Sequence, residues 1–123
     1  MLPQRVPERS RGQFFAVENY YLSGPCHERL CRQFGDVLLK LNCYHDLLVN
    51  HGGDEWVSNP APETLVQWLA EEMDCGHFYA LVDDGDALIT IFGGDTHMSL
   101  YGASPQLLQL VKTLATAAGI YLW

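Results

Sequence analysis

The sequence predicts a single α+β domain, a mostly antiparallel sheet packed by about three helices. Three observations lead to that class. Its 123 residues, 48% of them hydrophobic, suit one packed core. Residues 77–101 break into three strand-like runs separated by turn sequences, a β-meander. Residues 26–42, 62–75 and 105–118 carry the 3.6-residue apolar repeat or the boundary residues of helices.

Residues 1–13 mix Pro, Arg, Ser and Gly without periodicity and are expected to form a flexible arm outside the core. The domain proper is placed at 14–123. Phe14–Leu22 is aromatic and β-branched enough for a strand, and Ser23, Gly24 and Pro25 supply the turn that stops it. In Cys26–Asn42 the residues Leu30, Phe34, Val37, Leu38 and Leu41 fall on one helical face, with Gly35 weakening the pattern. The stretch 43–62 is harder to read. Leu47–Val49 is expected to extend the first helix, the run Asn50 to Gly53 to end it, and 55–58 to form a short strand. Pro60 and Pro62 mark the start of the second helix, Glu63 sits in its first turn, and Leu65, Leu69 and Met73 repeat along it to Gly76. Trp68 is placed at its edge.

Three strands follow, at 77–82, 87–92 and 97–101, joined by residues 83–86 and 93–96, both with the composition of hairpin loops. Ser104 and Pro105 then open the last helix as N-cap and first residue. Leu107, Leu108, Val111, Leu114, Ala115 and Ala118 form its stripe, and Gly119 follows its end. Residues 120–123 are expected to close the fold as a strand.

Four-residue loops fix the register of the meander. Val82 then faces Ala87, Phe92 faces His97, and antiparallel pairing assigns each side chain to a face. One face collects Phe78, Ala80, Val82, Ala87, Ile89, Ile91, Met98 and Leu100, all apolar, as a core demands. The other collects His77, Tyr79, Leu81, Leu88, Thr90, Phe92, His97, Ser99 and Tyr101. That mixture is too polar for a core and too apolar for plain solvent. Either residues 43–59 cover it, or it is a recognition surface on which aromatic rings supply contact area with polar handles.

Charge is distributed unevenly. The net charge is −8, yet from Asp54 onward ten acids face one base, Lys112, a balance of −9 over the last 70 residues. A field of one sign repels nucleic acid and anionic membranes and speeds encounter with basic proteins; acidity also serves plain solubility. No apolar run is long enough to span a bilayer or to act as a signal-peptide core, so a cytoplasmic location is expected. Cys26, Cys31, Cys43 and Cys75 are then expected as free thiols.

Several motifs invite chemistry. Cys26, His27 and Cys31, with the pairs Cys43/His45 and Cys75/His77, raise zinc, but the paired C-x-x-C spacing of structural sites is missing. His77 and His97 flank Phe92 two strand spacings apart, about 9–10 Å, which makes shared ligation awkward. Cys75 beside His77 could serve a nucleophile, but a helix C-terminus disfavours the thiolate. Gly93 and Gly94 join strands rather than a strand and a helix, so a hairpin explains them better than a phosphate site. The acids Asp83, Asp84 and Asp86 are too few for a calcium loop and read as a solvated turn. No metal or cofactor is expected.

The reading that follows is an acidic protein-binding domain, and one such protein is an inhibitor or immunity protein that neutralises a basic, nuclease-type toxin or enzyme. His77, Tyr79, Phe92, His97 and Tyr101 would meet the partner, with Asp83, Asp84, Asp86 and Asp95 steering it. This order of elements also occurs among small bacterial immunity-like domains, an analogy of architecture only, and the residues themselves identify no family. A small Cys/His metal-binding protein or enzyme, and a homodimer formed through the mixed face, are the competing readings. Catalysis is the less expected of these outcomes.

Overall fold

The computed structural model describes Met1, residues 26–92 and residues 97–122. In chain order these form α1 (Cys26–Asn42), β1 (Leu47–Asn50), β2 (Val57–Ser58), α2 (Pro62–Cys75), β3 (His77–Val82), a 3₁₀ turn (Asp83–Gly85), β4 (Ala87–Phe92), β5 (Met98–Tyr101) and α3 (Pro105–Ala118). The five strands make one antiparallel sheet in the order β2-β1-β3-β4-β5. The fold is α+β, and its three described helices have the expected bounds. The expected strand at 14–22, the arm at 2–13, the 93–96 loop and Trp123 lie outside the described residues.

The register of the meander is the expected one. Val82 pairs with Ala87 and Ile91 with Met98, so the two faces separate as alternation requires. Phe78, Ala80, Val82, Ala87, Ile89, Ile91 and Met98 are all buried, and Leu100 packs against them. Leu47 and Val49 of β1 extend this surface. Helix α1 lies against both α2 and α3, and α2 packs on β3 and β4. The α1 stripe Leu30, Phe34, Val37, Leu38 and Leu41 is buried throughout and completes the core with Leu65, Leu69, Leu107, Val111 and Leu114.

One expected element is corrected. Leu47–Val49 does not extend α1; the helix ends at Asn42, and the chain reverses through residues 43–46 into β1. Asn42 secures the reversal by donating from Nδ2 to the His45 carbonyl at 3.1 Å. Leu47 and Val49 are then buried while Leu48 is half exposed, a period of two that three apolar residues cannot reveal on their own. The strand expected over 55–58 shortens to Val57–Ser58, and His97 falls just before β5. Residues 120–122 make only an isolated bridge at Tyr121, although Ile120 is fully buried. Met1, expected in the arm, is buried too, and its backbone pairs with Met98; desolvation lowers the pKa of its α-amine.

Helix α3 shows how local chemistry sets boundaries. Ser104 Oγ accepts from the Leu107 backbone N–H at 3.2 Å, and Pro105 follows at a position where a missing N–H costs nothing. At the other end Gly119 takes φ +81°, and Ile120 N–H returns to the Ala115 carbonyl at 2.9 Å, closing the helix with a left-handed residue that glycine adopts without strain. Gln33 of α1 donates to the Ala118 carbonyl at 3.2 Å, tying the two helices together. Leu108, expected in the buried stripe, is instead 46% exposed.

Candidate functional site

No described helix packs on the second face of the sheet. Its side chains form rows across the strands. Asn50, Tyr79, Thr90 and Ser99 make one row, and Leu48, Leu81, Leu88 and Tyr101 make another, with Ser58 beside Leu48. His77 and Phe92 begin a third row. Their rings meet edge to face with centroids 5.1 Å apart, and Tyr79 adds a second edge contact to Phe92 at 6.1 Å. Such geometries suit the aromatic quadrupole and hold the rings in fixed positions.

A shallow cleft of about 430 Å³ opens on this face, lined by Asn50, Gly52, Gly53, Trp56, His77, Tyr79, Leu81 and Leu88. The β1–β2 loop supplies one wall, and its shape follows from two residues. Asn50, only 6% exposed, accepts from Gly52 N–H and donates to the Gly53 carbonyl, each at 2.8 Å. Gly52 has φ +100°, a conformation that favours glycine. His51 points to the helix side, where its ring stacks on Trp68 of α2 at 4.2 Å and 12° and approaches Glu72. The loop is thus pinned to both the sheet and α2, leaving Trp56 41% exposed beside the cleft.

Arg and Lys are absent from the described strands and loops, whereas acids occur in both layers, with Glu28 and Asp36 on α1 and Glu63, Glu71 and Glu72 on α2. Every described Arg and Lys sits on a helix: Arg29, Arg32 and Lys40 on α1, Lys112 on α3. The exposed acids Asp84 and Asp86 lie in or next to the β3–β4 turn at one end of the sheet, and Asp54 and Glu55 lie in the β1–β2 loop, between two residues that line the cleft. Asp83 and Asp84 take φ +48° and +59°, values that short polar side chains tolerate better than most.

The expected site residues divide into three groups. His77, Tyr79 and Phe92 form one aromatic cluster, and Tyr101, 55% exposed, shares the same face. His97 is exposed and follows the Ile91/Met98 pair toward Phe92. The acids are more varied. Asp84 and Asp86 are exposed, while Asp83 is engaged within the chain: its carboxylate meets His45 Nδ1 at 2.5 Å and accepts from the Asp46 N–H at 3.1 Å. Asn59 joins this knot through Asp46 and Leu47. Asp95 lies outside the described residues.

The Cys/His sets do not converge where they are described. His45 is committed to Asp83, and Cys43 Sγ contacts the Leu39 carbonyl at 3.5 Å. Among the described residues, no three His, Cys, Asp or Glu side chains gather closely enough to hold a metal. Sequence reasoning missed Trp56, Asn50, Leu48, Asp54 and Glu55 as parts of the face. The nearest signal was the Asn50–Gly53 turn composition, which marked a break in the chain without revealing which side of the sheet the loop borders.

No described helix is long and apolar enough to cross a membrane. Compared with protein-family models, with curated proteins and with solved structures, the chain finds no match in any of the three.

Proposed function

We propose that this domain binds a basic protein through the face of its sheet on which no described helix packs. The observation that carries the reading is an aromatic face bordered by acidic loops, with no described Arg or Lys on it. Described Arg and Lys are confined to the helices, which carry acids as well, while the turns at both ends of a face that presents Trp56, His77, Tyr79 and Tyr101 hold exposed acids and no described Arg or Lys. Such an arrangement divides the work of association. Acidic rims raise the rate of encounter with a cationic surface, and fixed aromatic groups lengthen the life of the complex. An inhibitor or immunity protein acting on a basic, nuclease-type enzyme has this requirement, because its target's active site is itself cationic.

The test is affinity capture at low salt followed by association kinetics. With the captured basic protein, the association rate falls steeply as salt rises, and Asp86→Lys with Asp84→Asn slows association while changing dissociation little. Asn is chosen at position 84 because it keeps the tolerance for positive φ. An association rate that ignores both salt and these substitutions would overturn the proposal.

A further inference from the structure

Resting on that docking reading, we infer that the cleft between the β1–β2 loop and the sheet receives an arginine side chain of the basic partner. Its walls have the required chemistry. Trp56, Tyr79 and His77 line it with aromatic rings, His77 also meeting Phe92, and Leu81 and Leu88 add apolar surface. Asp54 and Glu55 do not line the cleft but stand in sequence between its lining residues Gly53 and Trp56, and both are exposed. No described Lys or Arg occurs on the sheet or its loops to satisfy these acids or to occupy the aromatic faces.

A guanidinium fits this combination better than an ammonium. It is planar, weakly hydrated and always charged, so it stacks flat on an aromatic ring while its edges donate to carboxylates. Its methylene stem needs apolar surface, which Leu81 and Leu88 supply. The loop is held before any ligand arrives, since Asn50 bonds both Gly52 and Gly53 and His51 stacks on Trp68. Preorganisation of this kind lowers the ordering cost of binding.

Titration of the isotope-labelled domain with N-acetylarginine methylamide, followed by NMR, tests the inference. Saturable shifts are expected at the Trp56 indole and at the rings of Tyr79 and His77. The lysine analogue should bind more weakly, and the norleucine analogue should give no saturable shift. Trp56→Ala should weaken the arginine probe at least about tenfold, read at Tyr79. Trp56→Leu, which keeps apolar area but loses the aromatic face, should do the same if the alanine variant folds poorly.

Absence of saturable shifts with the arginine probe, equal binding of norleucine, or unchanged binding in both Trp56 variants would overturn the inference. The two levels of the account fail separately. A captured basic protein whose association is slowed by Asp86→Lys but whose affinity is untouched by Trp56→Leu leaves docking in place and removes the arginine cleft.

Discussion

Thr90 is where single-residue chemistry on the candidate face is most exposed to test. It sits between Tyr79 and Ser99 at 4% exposure, and its hydroxyl has no hydrogen-bond partner. A buried, unsatisfied hydroxyl costs on the order of 1–3 kcal/mol, and an apolar group of the same shape removes that cost. Thr90→Val should therefore stabilise the domain by about 1 kcal/mol, read as a higher urea midpoint at unchanged slope. A loss of stability would mean that the hydroxyl makes a bond the structure does not contain. At this scale the sequence was informative where alternation decides: it assigned Thr90, Tyr79 and Phe92 to one face from periodicity alone. Trp56 and Asn50 could not be placed so, because their roles depend on a loop whose path is set by bonds from Asn50 to Gly52 and Gly53.

Elements were legible in proportion to the local chemistry that bounds them. Helix α3 begins at a serine cap and ends at a left-handed glycine, and both signals stand in the sequence. Strand β1 carries no such mark. Its identity comes from pairing with β3, some thirty residues away, so tertiary contact overrode a helical reading. Helix α1 supplies a prediction at this scale. Gly35 is buried mid-helix, and a Cβ there would stand 3.7 Å from Leu69 and 3.8 Å from Val66, ordinary packing distances. Gly35→Ala should raise stability by about 0.5–1 kcal/mol, measured by the same denaturation. A decrease would show that α1 and α2 meet more closely than these distances allow.

Taken whole, the molecule sets its described helices on one side of the sheet and leaves the other side to its loops. Its helices carry the described bases and bury their apolar stripes against one side of the sheet, while the acidic turns and the aromatic cleft belong to the other. The sequence showed the charge imbalance after Asp54 and the mixed character of the second face. It did not show that the 43–62 stretch would add two strands to the sheet and border the cleft instead of covering the face. That outcome leaves an aromatic face bordered by acidic loops. Hydroxyl-radical footprinting of the domain with its captured basic partner tests this most directly, since exposed side chains are distributed over both layers. The account predicts protection of Trp56, Tyr79 and Tyr101 in the complex, with Val66 of α2 and Leu108 of α3 oxidised as in the free domain. Protection of Val66 and Leu108, with Trp56 and Tyr101 unchanged, would contradict it.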